Sequence, residues 1–487
     1  MKILMVYPEC PESFWSFKHI ITLFGKKAYL PPLGLMTVSA LLPDEFEKKL
    51  IDMNTTELTD QDLLWADFVF ISGMIVQKES SISVIKRCKD LGVKTIAGGP
   101  LFTSLHEQFE EVDYFILNEG EITIPMFLDD LKKGELKRIY TSDIKPNLIN
   151  TPIPHYNLIN HDDYYIFPLQ FSRGCPFDCE FCDIVNLNGR IPRTKSPEQV
   201  IKELTAIHDL GWRGSIFFVD DNFLGDKNKT KELLRTIIDW KTKVDFKSQF
   251  FTEISINASD DDELLELMRK AGFFLVFVGI ETISTEGLKE CGKLQNQNRD
   301  LINSIRKFYK YGMEVTGGFI VGFDSDDETI FERQFDFIQE AGVSKAMIDL
   351  LQALPGTKLY KRLDAENRLL KTSSGINQDS TINFIPKMEK ETLINGYNNL
   401  IKKAYSPKYY FERLNNFLKY YEPSRKVSLR KSIIPSLIKT FFVLKHSPKG
   451  KMYFWKLFIE TLLKRPKCLP AALNNSILYI HFGKVFS

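Results

Sequence analysis

Three cysteines crowd into eight residues of the segment Ser172-Arg173-Gly174-Cys175-Pro176-Phe177-Asp178-Cys179-Glu180-Phe181-Cys182. Thiolates spaced Cys-x3-Cys-x2-Cys on one loop can wrap a single metal centre, and Gly174 and Pro176 favour the tight path this requires. Iron–sulfur clusters are held by Cys thiolates, usually four. No fourth Cys lies in or near this loop, its nearest neighbours being Cys88 and Cys291. Three ligands on a four-iron cluster leave one iron open to a substrate or cofactor. The alternative is zinc, which closes with four nitrogen or sulfur ligands. His155 and His161 are the candidates for a fourth, but both precede the strand that leads into the loop and fall at its opposite end. Packing alone gives no reason for three thiols so close together.

The elements that must hold this loop belong to a chain of 487 residues, enough for about three domains. Apolar residues are 44% and charged residues 26%, a globular balance that excludes a disordered or collagen-like chain. The formal charge is only +1, but residues 401–487 hold 18 Lys/Arg against three Asp/Glu, leaving −14 on the first 400. A basic tail on an acidic body predicts an anionic partner for the tail. No stretch matches a signal peptide or reaches the ~18 apolar residues of a membrane span. Seven Cys, an odd number with three clustered, predict a reducing cytosol and a metal site rather than disulfides.

Residues 1–140 alternate β-rich runs (Lys2–Tyr7, Lys49–Met53, Phe68–Ser72, Thr95–Ala97, Tyr114–Leu117) with amphipathic stretches such as Ser80–Leu91. This predicts an α/β domain with a doubly wound parallel sheet, whose ligands bind at the carboxyl ends of the strands. Those ends carry Pro8, Ser72-Gly73, Gly98-Gly99-Pro100 and Asn118-Glu119-Gly120-Glu121. The glycines allow close backbone approach to a ligand, or serve only as turns. Residues 141–163 read as a linker, broken by Pro146, Pro152 and Pro154.

A second alternation fills residues 164–365, with strands expected at Phe167–Phe171, Ser215–Val219, Ser248–Ile254, Phe274–Ile280, Glu314–Val321 and Ala346–Leu350. Helical patterns fall between them, at Pro197–Leu210, Lys229–Trp240, Asp260–Ala271, Arg299–Tyr311 and Asp327–Ala341. Six strand–helix units suit a partial (β/α)6 barrel with its site at the C-terminal strand ends. Residues 366–487 read as helical, with basic residues interleaved among the apolar runs Ser432–Leu444, Met452–Leu463 and Leu473–Phe482.

The Cys motif and six-unit barrel resemble radical S-adenosylmethionine (SAM) enzymes. The resemblance implies that Cys175, Cys179 and Cys182 hold a four-iron four-sulfur cluster. Its open iron would chelate SAM, and one-electron reduction would cleave SAM to a 5′-deoxyadenosyl radical. Other strand ends agree in order. Phe181 matches the family's aromatic position beside adenine. Asp220 and Asp221 end the second strand, where the family's glycine- or acid-rich motif meets SAM's amino group. Glu253 ends the third strand, and Glu281 ends the fourth in a segment resembling the family's ribose contact. Gly318 and Gln352 lie at the fifth and sixth ends. Each alone is also consistent with an ordinary cap or ion pair.

A flavodoxin-like domain ahead of such a barrel resembles the cobalamin-binding class. Pro31-Pro32-Leu33-Gly34-Leu35 and Gly98-Gly99-Pro100 support this. It would place cobalamin between the sheet's carboxyl ends and the barrel mouth, against Pro8, Ser72, Gly73, Gly98, Gly99, Pro100 and Glu119. The Asp-x-His-x-x-Gly motif that supplies a cobalt ligand in many cobalamin domains is absent. With its helical C-terminal domain, the arrangement resembles a bacterial subfamily that includes hopanoid C-2 methylases. The resemblance implies a cobalamin-dependent C-methyltransferase acting on a lipid or other apolar natural product, with a low-potential donor such as flavodoxin or ferredoxin. The alternatives are a non-methylating cyclase, mutase or oxidoreductase with a degenerate cobalamin domain, and a non-catalytic iron–sulfur protein. No single residue is assigned to catalysis. The expected location is the cytoplasm, with membrane-surface contact through the basic tail or simple solvation of its charges. No nucleic-acid motif is present.

Overall fold

The structure, a computed structural model, describes residues 1–370, 373, 375, 381–424 and 448–486. Two six-stranded parallel sheets dominate it. The first comprises β1 (Lys2–Tyr7), β2 (Glu47–Asp52), β3 (Phe68–Ser72), β4 (Lys94–Gly98), β5 (Tyr114–Ile116) and β6 (Ile139–Tyr140), in the order β2-β1-β3-β4-β5-β6. The order reverses at β1, so the crevice between the carboxyl ends of β1 and β3 is the switch point of a doubly wound sheet. Apolar runs such as Ile3–Val6 and Val69–Ile71 are buried, as strands with helices on both faces must be. The edge strand β6 extends the expected five by one. Its two residues were too short to show a period.

The second sheet's strands are β7 (Phe167–Leu169), β10 (Ile216–Phe218), β11 (Phe250–Glu253), β12 (Phe273–Glu281), β13 (Glu314–Val321) and β14 (Lys345–Leu350). Their order is β14-β13-β12-β11-β10-β7. All neighbours pair in parallel, which makes the sheet an open partial barrel with the intervening helices outside. The helix signals are strong. Ser196 caps Pro197–Asp209 through a reciprocal box with Gln199, and Asp226 and Asp261 cap the next two helices.

The first barrel strand departs from expectation. It stops at Leu169, and Ser172–Arg173 (β8) instead pair antiparallel with Arg193–Thr194 (β9). This small ladder closes the base of the Cys loop. Residues 141–163 form only 3-10 turns. The tail contains helices Lys390–Ala404, Pro407–Tyr420, Pro448–Lys464 and Leu469–Val485. The last two contain the expected runs Met452–Leu463 and Leu473–Phe482, while Ser432–Leu444 lies outside the described residues. Among the described residues no helix is long and apolar enough to cross a membrane.

The last helix packs on the N-terminal segment, with Phe14 stacked on Phe482 at 4.9 Å and His481 Nε2 3.1 Å from the Phe14 carbonyl. Trp15 from that segment reaches the barrel, its ring 5.4 Å from that of Phe277 on β12. Beneath it lies a cavity of about 430 Å³. Phe217, Phe251 and Leu275 line its walls, Glu253 and Phe277 its end toward the Cys loop, and Glu314, Lys345 and Asn475 its opposite end.

Candidate active site between the two sheets

The Cys loop is held from four sides. Gly174 turns it with φ +96°, and a Cβ there would sit 3.0 Å from the carbonyls of Gly189 and Ile191. Cys175 N donates to the Gly189 carbonyl at 3.2 Å, and Cys182 N to that of Cys179 at 3.1 Å. Asp220 accepts from Phe171 N at 3.2 Å, from Ser172 N, and from Ser172 Oγ at 2.5 Å. Asp221 accepts from Gly174 N at 2.7 Å and Asn188 Nδ2 at 2.9 Å. Both aspartates are therefore engaged with the loop itself, a role that no local signal in the sequence announces. On the outer side, Glu180 pairs with Arg362 at 2.6 Å, Asp178 with Lys358 at 2.5 Å, and Leu359 N donates to the Glu180 carbonyl at 2.9 Å.

The fourth support comes from the chain after β12. The end of this strand is kinked: β12 and β13 shift register between Gly279 and Glu281, and Glu281 adopts φ +65°. A non-glycine residue held there is strained, a condition that clusters at functional sites. Its Oε1 pairs with Lys293 Nζ at 2.6 Å, both side chains being nearly buried. Glu180 N donates to the Cys291 carbonyl at 2.9 Å, bringing residues 291–293 against the loop. The Cys291 thiol turns away, 3.8 Å from the Leu288 carbonyl.

Burial pushes all three loop thiols up, and the positive charge of Lys293 opposes it at each. Burial also works against the Lys293 charge, but Glu281 and Cys179 outweigh it and hold the lysine above its usual range. Buried thiolates need positive charge, and a bound metal centre supplies it. Among the described residues no three His, Cys, Asp or Glu groups converge tightly enough for a single ion. His155 Nδ1 is instead 2.8 Å from Ser39 Oγ, on a helix of the first sheet. Three thiols with a shared lysine and no fourth side-chain ligand fit an open multinuclear cluster better than closed tetrahedral zinc.

Burial pushes Glu253 up to about 8 and Asp220 up to about 7, with neighbouring acids adding to the effect. Phe181 lies at the barrel mouth, its ring 6.4 Å from that of Phe323. A Cβ on Gly318 would meet the Phe277 ring at 2.9 Å. Gln352 Nε2 donates to the Thr381 carbonyl at 2.6 Å, and its Oε1 accepts from Ser373 Oγ at 3.1 Å.

The first sheet's carboxyl ends reach the same loop. Arg173, two residues before Cys175, pairs with Glu119 at 2.7 Å and Glu121 at 2.8 Å, and Arg193 pairs with Glu119 at 2.8 Å. The four side chains are nearly buried and join the end of β5 to the ladder beneath the cluster loop. Burial works against the Glu121 charge, but Arg173 overcomes it and holds the carboxyl below its usual range. The remaining ends serve the chain's own packing. A Cβ on Gly98 would lie 2.6 Å from the Ile116 carbonyl, and one on Gly99 (φ +84°) 2.4 Å from Ser72 Oγ. The Gly73 carbonyl accepts from Leu101 N at 3.0 Å, just beyond Pro100, and the Pro8 carbonyl from Gln77 Nε2 at 2.6 Å. These positions form a narrow backbone shelf at the switch point. Arg173, Arg193, Glu121, Lys293 and Trp15 were missed as functional positions. Arg173 and Glu121 stood inside quoted motifs, but nothing local marked them as partners.

Comparison with known proteins agrees with this architecture. Residues 26–128 match the B12 binding domain, 169–338 the Radical SAM superfamily, and 357–487 a domain of unknown function, DUF4070. An uncharacterized methyltransferase of Synechocystis, sll1242, is 42% identical over 442 residues, 90% of this chain and 82% of that protein. The hopanoid C-2 methylase of Rhodopseudomonas palustris is 32% identical over 478 residues, 95% of this chain and 90% of that protein. The chain belongs to the cobalamin-binding radical SAM enzymes. Among solved folds, OxsB with aqua-cobalamin covers all of this chain and 80% of its own at 17% identity, TM-score 0.64. The radical SAM methyltransferase TsrM of Kitasatospora setae covers 77% of this chain and 76% of its own at 14% identity, TM-score 0.62. At those identities the likeness concerns the fold of this radical SAM enzyme.

Proposed function

We propose that this protein is a cobalamin-dependent radical SAM C-methyltransferase acting on an apolar substrate. The observation that carries the reading is the face-to-face placement of two open sheet ends, joined by Arg173 and Glu119 directly beneath three cysteines. The kinship with methyltransferases supports it. Cys175, Cys179 and Cys182 would hold a four-iron four-sulfur cluster, and the shelf formed by Pro8, Ser72, Gly73, Gly98, Gly99, Pro100 and Glu119 borders the crevice for cobalamin. When bound, these groups would supply reductive cleavage of SAM to a 5′-deoxyadenosyl radical and a carrier for the methyl group.

The chain's own residues orient and shield. Asp220 and Asp221 fix the loop's stem. Phe181 and Phe323 offer an aromatic wall at the mouth for adenine. Glu281 and Lys293 place a paired charge beside the cysteines, suited to the ribose and methionine ends of SAM. Glu253, protonated over much of the neutral range, presents a hydrogen-bond donor to the lumen rather than a full charge. The lumen's aromatic lining excludes water from a radical and favours a lipid or another apolar natural product. A low-potential donor such as flavodoxin or ferredoxin would supply the electrons.

The test of substrate class is anaerobic incubation of reconstituted enzyme with SAM carrying a trideuterated methyl group and a fractionated lipid extract. A product heavier by that methyl group supports the reading. Labelling confined to water-soluble products contradicts the apolar assignment.

A further inference from the structure

The helix Pro448–Lys464 is apolar on two opposite faces. Phe454, Leu457 and Thr461 are buried against the rest of the tail. Met452, Trp455, Ile459, Leu462 and Leu463 point outward, with exposures between 38% and 77%. At 3.6 residues per turn these five fall within an arc of about 100°. A soluble helix has no need of a second apolar stripe, and contiguous exposed apolar surface marks an interaction site. The surroundings are basic. Residues 448–486 hold seven Lys/Arg and one acid, and Lys456, Lys464 and Lys467 are exposed.

The stripe also leads to the lumen. Lys467 lies three residues beyond the helix and lines the cavity, as does the exposed Asn474 on the next helix. With Trp15 and Tyr165, the other exposed residues of the lining, they border its openings, Lys467 and Asn474 on the tail's side at the N-terminal end of the barrel strands. Glu253 and Phe277 stand at the cavity's other end, toward the cysteines.

We propose that the outward face of Pro448–Lys464 docks on an anionic lipid bilayer, and that an apolar substrate passes from the bilayer into the barrel lumen past Lys467 and Asn474. The second half rests on the apolar-substrate reading above. The first half does not. An apolar arc inserted at headgroup depth with lysines beside it is the chemistry of an interfacial helix. The basic charge selects anionic lipid by simple attraction, which salt weakens. Entry from the N-terminal end would leave the cofactor-bearing mouth closed to bulk water during loading.

The experiment uses full-length, anaerobically reconstituted protein and flotation with phosphatidylcholine vesicles, with and without phosphatidylglycerol. Binding is expected only with phosphatidylglycerol, falling as salt rises. Ile459→Asp with Leu463→Asp should lower the partition coefficient on the order of a hundredfold, while iron content and SAM cleavage are kept. Brominated lipid should quench Trp455, with Trp455→Phe assigning the signal. Equal binding by wild type and the double variant overturns the docking. So does a wild-type dimer that the double variant converts to monomer when neither binds vesicles, because the stripe is then a self-association face.

Substrate passage is read separately. A brominated isoprenoid alcohol carried in the vesicles should quench Trp15, assigned with Trp15→Phe. Asn474→Phe at the mouth should remove that quenching and leave vesicle binding unchanged. Quenching of Trp15 unaffected by Asn474→Phe overturns entry by this route. Neither readout requires methyl transfer, so failure here and failure of the proposed reaction are told apart.

Discussion

At the carboxyl end of the barrel, three thiols, a strained Glu281, a nearly buried Lys293 and the carboxylates of Asp220, Asp221 and Glu253 crowd one opening. At the facing end of the first sheet the chain offers carbonyls, glycines and one buried ion network. The first end is built from reactive groups held under tension, the second from shape. The contrast suits the two groups each would bind. A metal cluster needs named ligands. A large planar cofactor can be held by a shelf and by the closeness of the opposite wall. The network of Glu119, Glu121, Arg173 and Arg193 belongs to both ends.

The largest effect that sharpens this contrast is at the cysteines. Cys175→Ala, Cys179→Ala or Cys182→Ala should abolish the cluster and SAM cleavage, read as iron per chain and 5′-deoxyadenosine formed. No residue of the first sheet's shelf should have such an effect. Next comes the shared network. Arg173→Gln strands Glu121 in a buried site, and removing one partner of a buried pair costs about 3–5 kcal/mol. The urea midpoint should fall accordingly, and cobalamin retention should fall with it. An unchanged midpoint would mean that the two ends are not coupled through Arg173.

Titration separates the two ends by sign in the metal-free protein. Glu121 is held below its usual range, so its contribution is present above the ordinary glutamate range and is lost as pH falls. Glu253 is raised to about 8, so its contribution is present at low pH and is lost as pH rises from about 4 toward that value. Glu253→Gln should therefore flatten the alkaline side of the stability profile, by roughly 3–4 kcal/mol between pH 5 and 8, and leave the acid side intact. The smallest effect belongs to the shelf. Gly99→Ala meets both φ +84° and Ser72 Oγ at 2.4 Å, costing about 1–2 kcal/mol in thermal unfolding with the cluster still bound.

This division also decides what could be read beforehand. The strands Lys2–Tyr7 and Phe68–Ser72 were legible to the residue because each is an almost wholly apolar run bounded by turn signals, and Glu314–Val321 because its β-branched and aromatic residues follow the Tyr311-Gly312 turn. The Cys loop was legible because three thiols have few other uses. The two-residue β6, β8 and β9 were not, since pairing partners rather than period create them. Asp220 and Asp221 looked like ligands for a cofactor's ammonium. Their bonds to Ser172 and Gly174 depend on where the second strand ends relative to the first, which no local pattern encodes. Lys293 follows an unremarkable Cys291-Gly292, and only the fold carries it to the cysteines. The exposed stripe on Pro448–Lys464 had the composition of any amphipathic helix. That one apolar face is buried while the other is left bare emerges only from the packing.

In the proposed reaction the two facing ends work together. The most direct measurement incubates reconstituted enzyme anaerobically with SAM, a low-potential reductant and a substrate-bearing lipid fraction, with and without cobalamin, and quantifies products by mass spectrometry. Both 5′-deoxyadenosine and S-adenosylhomocysteine are expected, the latter only with cobalamin. Deoxyadenosine alone, unchanged by cobalamin, would contradict that reaction and assign the barrel a radical reaction without methyl transfer.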